Sequence, residues 1–404
     1  MNTRIDAGGM DLFDPAFAVD PHTAYRRLQA TAPVVVHPQG FWLLTRYADV
    51  AALQRSGHSV QESALRHIPD FKSDSTRLGD ENRMMRGLSL LDRDPPDHSR
   101  LRRLVGTPFT RSGVAARMDR ISRLADRALD RVAAAGTIDL MHEVAFTMPY
   151  EVISEILGVS GVDTERFREH IGTLVLGLEP LAEPATQARI RAANDELTAM
   201  TRDLVRRKHS DPGDDLLTAL IAAERAGELT GDELVAQVMF VLIAGHETTV
   251  NLIGSAVATL LAHPDSIAMV RQRPDLVTNV VEEVLRFEPS VHLMRRVTTA
   301  PLDVEGVRIP LGSFVIGVIA AANRDPAFWG GDAATFRPDR PLAHRHLSFG
   351  AGIHHCLGAA LARAETAAFL SGFIERFPRA RLDSLSWNGR RNIRGPESVV
   401  VTVS

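Results

Sequence analysis

Two short stretches of this 404-residue chain hold most of the side chains whose types and spacing could do chemistry. In the first, HLSFGAGIHHCLGAALARAETAAFLSGFIERF, the only cysteine, Cys356, stands where a loop turns into a long helix that ends before Pro378. Free backbone amides at a helix start favour the thiolate form of a cysteine. Gly350 and Gly352 allow tight bends, and Gly358 removes a side chain two residues beyond the sulfur. Taken alone, the pattern also fits a buried structural cysteine.

The second stretch is QVMFVLIAGHETTVNLIGSAVATLLA, residues 237–262, an apolar segment with four polar residues at its middle: His246, Glu247, Thr248 and Thr249. At the centre of a membrane span such ionisable groups are costly and need partners. In the core helix of a large soluble domain, internal polar groups mark a site. We therefore predict a core helix.

The flanks of this helix predict its ends. Thr230 and Glu233 have the spacing of a capping box, and His263-Pro264 stops the helix. About 32 residues at 1.5 Å each give a rod of roughly 48 Å, whose middle would lie near the centre of the molecule.

Two cofactor interpretations of these stretches fail. His246-Glu247 begins like a zinc-protease helix, but the position of the second histidine ligand is Val250. Gly350-x-Gly352 begins like a dinucleotide-binding loop, but the third glycine position is His355 and no strand-led βαβ unit surrounds it. FMN, FAD and iron–sulfur motifs are also missing from the sequence, so we expect electrons to come from another protein.

Composition is ordinary for a soluble globular protein, with 45% hydrophobic and 24% charged residues and a net charge of -4. A single cysteine excludes an intramolecular disulfide and a multi-cysteine metal site. No basic run indicates nucleic acid, and the N-terminal residues have neither a signal-peptide nor an anchor pattern. We expect a cytoplasmic monomer that binds no membrane.

The helices and strands that the sequence pattern indicates predict a mainly α fold with a minor β region, in one domain over residues 1–404. Apolar spacing of three and four indicates helices over about 50–290 and 357–377. Alternating patterns indicate small sheets at about 34–46 and 296–318, with a turn at Glu305-Gly306, and at the C-terminal 391–404.

Five motifs in one order resemble the cytochrome P450 monooxygenases over nearly the whole chain. They are Phe349-Gly350-x-Gly352-x-His354-x-Cys356-x-Gly358, AGHETT (244–249), Glu283-x-x-Arg286, DPPDHSRLRRLV (94–105) and AANRDP (321–326). The resemblance implies the P450 fold, with the long central helix crossing over a heme.

The resemblance also implies heme b (iron protoporphyrin IX) as cofactor, with Cys356 as the axial ligand of its iron. A thiolate ligand pushes electron density onto iron and favours O–O cleavage. The other heme-binding positions that it implies are His98, Arg102, Ala244, Gly245, Arg296, Phe349, Gly350, His354 and Gly358. Of these, His98, Arg102, Arg296 and His354 match positions that bind the heme propionates, and His98 and Arg102 are spaced to share a helix face.

By the same resemblance, Glu247 and Thr248 are catalytic and supply protons to O2, the co-substrate. Gly245 would leave room for oxygen. The alternative for Thr248 is a hydroxyl bonded back to the carbonyl four residues earlier. Thr249 is predicted to be structural.

Glu283 and Arg286 should form a buried ion pair with a structural role. The family often adds a basic residue before a phenylalanine in the following loop, but here Thr335 precedes Phe336. Arg337 or Arg340 could replace it.

The family's substrate-facing segments include part of 83–91, the helix before Ala244, residues 291–294 and the turn near Ile393. Their side chains Val291, Leu293, Met294 and Ile393 predict an apolar pocket, although core packing explains each equally well. His292 could point either way.

The resemblance implies a ferredoxin and a ferredoxin reductase as partners, with NAD(P)H used indirectly through them. Arginines on segments that the family places near such a partner could attract an acidic protein: Arg100, Arg103, Arg111, Arg345 and Arg363. The predicted reaction inserts one oxygen atom of O2 into a lipophilic small molecule, such as a terpenoid, steroid, polyketide or other natural product. The alternatives are a heme-thiolate enzyme for oxidative coupling, desaturation or peroxide-driven oxidation, and a non-catalytic heme protein that binds a ligand.

Overall fold

The computed structural model describes Phe17 and residues 20–38, 40–61, 87–161, 164–179 and 184–403. Residues 83–86 of the predicted substrate-facing segment lie outside this part of the chain. The described chain is mostly helical with a small β region, which confirms the predicted fold class.

The α-helices of the described residues, in chain order, are α1 (Pro21–Thr31), α2 (Tyr47–Arg55), α3 (Asp97–Gly106), α4 (Arg111–Ala115), α5 (Met118–Ala135), α6 (Thr147–Leu157), α7 (Thr164–Leu174), α8 (Pro184–Ser210), α9 (Leu216–Arg225), α10 (Gly231–Leu261), α11 (Pro264–Gln272), α12 (Val277–Phe287), α13 (Ile319–Ala322), α14 (Pro326–Trp329) and α15 (Ala359–Arg376). The strands are β1 (Val34–Val36), β2 (Trp42–Leu44), β3 (Thr137–Asp139), β4 (Leu293–Val297), β5 (Leu302–Val304), β6 (Val307–Ile309), β7 (Phe314–Val318), β8 (Arg381–Trp387) and β9 (Pro396–Thr402).

The chain divides into two compact units. The first unit comprises the described residues of Met1–Lys72, Asn251–Cys356 and Phe373–Ser404, and the second unit comprises those of Ser73–Val250 and Leu357–Gly372. Helices α10 and α15 each contribute residues to both units. The single-domain organisation stays a prediction.

A four-stranded sheet of order β1-β2-β7-β4 organises the first unit. Strand β2 pairs antiparallel with β1 and parallel with β7, and β7 pairs antiparallel with β4. Successive side chains of a strand point to opposite faces, and both faces of this sheet pack against apolar residues. Leu44 and Val315 join one apolar cluster with α2, whereas Leu43 and Ile316 join another with α1.

Local signals set the turn between β5 and β6. Val304 pairs with Val307, so Glu305 and Gly306 form a two-residue hairpin loop at the predicted position. Both have positive φ, 50° and 77°, as tight hairpin loops require. At the C-terminus, β9 lies within the predicted 391–404 region and pairs antiparallel with β8, a strand that the sequence did not predict.

Helix α10 has nearly the predicted ends. The amide of Thr230 donates to Oε2 of Glu233 at 2.9 Å, and the amide of Glu233 donates to Oγ1 of Thr230 at 3.2 Å, so the capping box is formed. Among the described residues, α10 alone is long and apolar enough to span a membrane, and 78% of its most apolar window is buried. Core helices of soluble proteins have this composition and this burial.

The second unit is built around amphipathic helices. The apolar face of α5 is buried at intervals of three and four residues: Ile121, Leu124, Ala125, Ala128, Leu129 and Val132. A methyl group added at Gly372 of α15 would lie 2.4 Å from Cδ1 of Leu129. The glycine therefore allows α15 to pack closely on α5.

Candidate active site

The cysteine loop of the first unit, defined here as residues 345–356, folds back on itself. The amide of Cys356 donates to the carbonyl of Phe349 at 2.8 Å, and the amide of Gly350 donates to the carbonyl of Leu347 at 2.9 Å. Gly350 and Gly352 have φ of 69° and 70°, the left-handed region that favours glycine. The half-buried Cys356 is thus held opposite Phe349 by a closed backbone loop.

The residues that follow the loop lead directly into helix α15. Helix α15 begins three residues after Cys356, and its first helical bond runs from the amide of Ala362 to the carbonyl of Gly358 at 2.9 Å. A methyl group added at Gly358 would meet no atom within 4 Å, so the chain leaves open space there. A soft sulfur ligand close to a helix start is the donor that a heme held through a thiolate requires.

Of the four residues predicted to bind the heme propionates, two lie in each unit. In the first unit, Arg296 is buried on β4 and donates from Nη1 to the carbonyl of Arg295 at 2.8 Å, and His354 is half-buried in the cysteine loop. In the second unit, His98 is buried and Arg102 half-buried on α3, four residues apart on one face. Their donor groups suit carboxylates.

The middle of α10 has two chemically different faces. Ala244, Gly245, Glu247 and Thr248 stay partly exposed, whereas His246, Thr249 and the other residues between Glu233 and Leu260 are buried. A polar, partly open face at the centre of an apolar helix is the position that the sequence predicts for the catalytic pair.

Buried His246 has a structural setting that the sequence did not reveal. Its Nε2 donates to the carbonyl of Phe146 at 3.1 Å, and the ring centroids of the two residues are 4.2 Å apart, edge to face. Burial lowers the pKa of His246 to about 4, so the ring is neutral near pH 7. The side chain therefore joins α10 to the segment before α6.

The hydroxyls of Thr248 and Thr249 on α10 each donate a hydrogen bond to the carbonyl four residues earlier. For Thr248 this bond is the alternative to a catalytic role. Oγ1 of Thr248 donates to the carbonyl of Ala244 at 3.0 Å, and Oγ1 of Thr249 donates to that of Gly245 at 3.2 Å. A hydroxyl that donates one hydrogen bond can still accept others. The two differ in access, because Thr249 is 4% exposed and Thr248 is half-buried.

Gly245 faces a neighbouring helix. A methyl group added there would lie 3.0 Å from Cδ1 and 3.2 Å from Cγ1 of Ile153. The glycine thus permits close packing of α10 on α6, a role that was not anticipated from the sequence.

Glu283 and Arg286 form the predicted buried pair, and Arg340 completes it. Nε and Nη2 of Arg286 donate to the two carboxylate oxygens of Glu283 at 2.7 and 2.8 Å. Nε of Arg340 donates to Oε1 of Glu283 at 2.9 Å, and its Nη1 to Asp332 at 3.0 Å. The side chain of Arg337 instead binds Asp332 and Asp339.

Comparison with known proteins gives the family. Residues 54–382 match the family model described as Cytochrome P450. The chain belongs to the cytochrome P450 family.

Individual relatives agree over nearly the full length. This P450 is 38% identical over 405 residues to Cytochrome P450 107B1 of Saccharopolyspora erythraea, covering 96% of each chain. It is 38% identical over 414 residues to Vitamin D(3) 25-hydroxylase of Pseudonocardia autotrophica, covering 97% of this chain and 96% of that protein. The crystal structure of P450BioI in complex with hexadec-9Z-enoic acid ligated acyl carrier protein matches with a TM-score of 0.87 and 28% identity, covering 96% of this chain and 100% of that chain.

These comparisons confirm the P450 fold and an oxidoreductase of the heme monooxygenase class.

The apolar residues predicted to contact substrate in this P450 lie in packed surroundings. Val291 and Ile393 form an isolated antiparallel bridge. Leu293 is buried in the cluster with α1, and Sδ of Met294 would lie 2.9 Å from a methyl group added at Gly317. Core packing accounts for these contacts, and a substrate role stays a prediction.

A partly buried cluster of two histidines and a glutamate in the first unit was not foreseen. The ligand atoms of His22, Glu288 and His292 lie within 4.8 Å of one another, as in a metal site. However, Nη2 of Arg324 donates to Oε1 of Glu288 at 2.6 Å. Burial alone would raise the pKa of Glu288, but the charges of His22 and Arg324 lower it below its usual value. The carboxylate already has a cationic partner, which disfavours a metal ion.

Two of the arginines predicted to attract a redox partner make ion pairs inside the second unit. Nη2 of Arg100 lies 2.6 Å from Oε1 of Glu233, and Nη2 of Arg103 lies 2.7 Å from Oε2 of Glu228. Part of their charge is therefore compensated.

Proposed function

We propose that this P450 binds heme b through Cys356 and inserts one oxygen atom of O2 into a lipophilic small molecule. The observation that carries the proposal is the closed cysteine loop: the chain's only cysteine is fixed opposite Phe349, three residues before α15. We also propose that the protein is a cytoplasmic, single-domain monomer that binds no membrane.

The cysteine loop would present the sulfur, and the basic residues would hold the cofactor's carboxylates. When bound, heme supplies oxygen activation, which a thiolate ligand promotes. Arg296 and His354 in the first unit, and His98 and Arg102 in the second, carry donors suited to propionates.

Proton delivery is assigned to Glu247 and Thr248. Both are partly exposed on α10, next to the buried and neutral His246. A carboxyl group can take up a proton from water, and the neighbouring hydroxyl can pass one on while it remains bonded to the carbonyl of Ala244.

The substrate is proposed to be an apolar natural product, such as a steroid, terpenoid or polyketide. The relative named as a vitamin D(3) 25-hydroxylase and the related structure with a fatty acid on a carrier protein support a lipophilic substrate. Val291 and Met294, which are half-buried, are proposed to contact it. Electrons are proposed to come from NAD(P)H through a ferredoxin reductase and a ferredoxin, because the sequence holds no flavin or iron–sulfur motif.

The absorption spectrum of the reduced carbon monoxide complex tests the assignment of Cys356. We expect a thiolate-type band for the native protein and its loss in Cys356→Ser. Ile353→Ser is the matched control, because Ile353 is an exposed side chain of the same loop. A thiolate-type band that survives in Cys356→Ser, or a histidine-type band in the native protein, would contradict the proposal.

A further inference from the structure

The AANRDP motif has no role in the proposed chemistry, yet its asparagine holds the cysteine loop. The fully buried Asn323 donates from Nδ2 to Oγ of Ser348 at 2.8 Å. Its Oδ1 accepts from the amide of Leu347 at 2.8 Å. Its own carbonyl accepts from Nη1 of Arg286 at 2.9 Å, so the asparagine is itself fixed by the Glu283 network.

Helix α12 holds the same part of the loop through a buried histidine. The amide of Ser348 donates to Nδ1 of His346 at 3.1 Å, so the ring proton sits on Nε2, which donates to Oε2 of Glu282 at 3.1 Å. Oγ of Ser348 donates to the carbonyl of Leu285 at 2.6 Å. The ring of His346 lies 5.5 Å from that of Phe349.

Helix α2 contacts the loop as well. Nε2 of Gln54 donates to the carbonyl of Leu347 at 3.0 Å, and the hydroxyl of Tyr47 donates to the carbonyl of Arg345 at 2.7 Å. A methyl group added at Gly352 would lie 3.2 Å from the carbonyl oxygen of Gln54. The loop therefore fits closely against this helix.

These contacts fix the backbone of residues 345–348, which begin at the last residue of a short 3-10 helix (Ala343–Arg345) and precede helix α15. Side chains bind the carbonyl of Arg345, both backbone groups of Leu347 and the amide of Ser348. Buried backbone groups need such partners. Phe349 comes next, and its carbonyl accepts from the amide of Cys356. The position of the sulfur is thus connected to Asn323 by an unbroken series of hydrogen bonds and peptide units.

We propose that Asn323, acting through Ser348, is a positioning residue for the sulfur of Cys356. This inference rests on the proposed heme-thiolate function. Residues that orient a metal ligand without touching the metal commonly change metal affinity or activity 10–100-fold when they are replaced. A purely structural asparagine would lower the stability of the fold and leave the ligation of iron unchanged.

The experiment compares Asn323→Ala and Ser348→Ala with Thr298→Val. Thr298 is an equally buried side chain of the first unit that donates to the carbonyl of Pro310 at 2.7 Å and accepts from the amide of Ser313 at 2.8 Å, away from the cysteine loop. Each heme-loaded variant is reduced under carbon monoxide, and the rate at which the thiolate-type band is lost is measured together with the thermal midpoint.

We expect the thiolate-type band to be lost about tenfold faster in Asn323→Ala than in the native protein. Thr298→Val should lower the thermal midpoint and keep the native rate. Ser348→Ala, which removes the hydroxyl between Asn323 and Leu285, should also accelerate the loss, and it decides the matter if Asn323→Ala does not fold.

Native rates in Asn323→Ala, or in Ser348→Ala when only that variant folds, would overturn the inference and leave the heme-thiolate proposal intact. A native protein without a thiolate-type band would instead remove the proposed function itself. The two failures are therefore distinguishable.

Discussion

Nε of Arg340 lies 2.9 Å from Oε1 of Glu283, the same oxygen that accepts from Nη2 of Arg286 at 2.8 Å. One buried carboxylate is shared by two guanidinium groups, and the backbone amide of Arg337 donates to it as well at 3.0 Å. Arg340 is 57 residues away from Glu283 in the chain, so it joins α12 to the loop after α14.

Replacing Arg340 should strongly destabilise the protein. Arg340→Met leaves Glu283 with an incompletely compensated buried charge, and we expect the free energy of unfolding to fall by about 3–5 kcal/mol. Denaturant unfolding measures it. The control is Arg337→Met, because the side chain of Arg337 is 41% exposed whereas that of Arg340 is 4% exposed. The control should change stability by less than about 1 kcal/mol. Equal losses in the two variants would contradict the assignment of Arg340.

Alanine substitutions of Thr248 and Thr249 on α10 should have different effects on catalysis. Thr248→Ala should keep heme and substrate binding but lower product formed per electron at least about tenfold, with hydrogen peroxide released instead, because the partly exposed hydroxyl is lost. Thr249→Ala removes the same bond to a helix carbonyl at a buried position and should keep coupling. Product and peroxide are measured against electrons consumed. Native coupling in Thr248→Ala would show that its hydroxyl is dispensable.

Gly245→Ala should destabilise the second unit through overpacking. The new methyl group would lie 3.0 Å from Cδ1 of Ile153, and overpacking of this kind costs about 1–3 kcal/mol. Alanine regains about 1 kcal/mol over glycine inside a helix, so we expect a net loss of up to about 2 kcal/mol. Ile153→Val removes Cδ1 and alone should cost about 0.5–1.5 kcal/mol. In the double variant the smaller valine should relieve part of the strain. The loss of unfolding free energy should therefore be smaller than the sum of the losses in the two single variants. Strict additivity would mean that the two side chains do not meet.

Glu365 should make stability fall as pH rises. This side chain of α15 is 1% exposed, and burial raises its pKa to about 8 from an ordinary 4.5. Between these values the unfolded chain releases the proton and the folded chain keeps it. The contribution of Glu365 to the free energy of unfolding is therefore complete below pH 4.5. It is lost progressively up to pH 8, by as much as about 5 kcal/mol.

Glu365→Gln should remove this slope, because glutamine has a similar shape and does not titrate. Unfolding free energies measured between pH 5 and 8 would show it. Glu375→Gln provides the control, since Glu375 is exposed on the same helix. A slope that persists unchanged in Glu365→Gln would place its origin elsewhere.

Local signals made several elements predictable from the sequence. The Thr230–Glu233 capping box, the Glu305-Gly306 turn and the loop-to-helix transition after Cys356 all depend on residues a few positions apart. Short-range hydrogen bonds and the conformational freedom of glycine decide such features. Strand β8 escaped prediction because most of its side chains are exposed and do not alternate.

Long-range partners could not be predicted in the same way. The sequence left Arg337 and Arg340 as equal alternatives, and only the chain path after α14 selects Arg340. The contact of His246 with Phe146 joins positions 100 residues apart, and that of His22 with Glu288 joins positions 266 apart. Spacing along one helix contains no information about such pairs.

The parallel pairing of β2 with β7 has a consequence for synthesis on the ribosome. Trp42 of β2 pairs with Val315 of β7, which is synthesised about 270 residues later, so the two strands cannot pair before then. At about 5–20 residues per second, translation of that interval takes roughly 14–55 seconds. During this time the β1–β2 hairpin has an open edge, and a two-stranded hairpin alone is only marginally stable in water. The nascent first unit therefore completes its sheet only after most of the polypeptide has emerged, so truncation before Phe314 would leave that edge permanently unpaired.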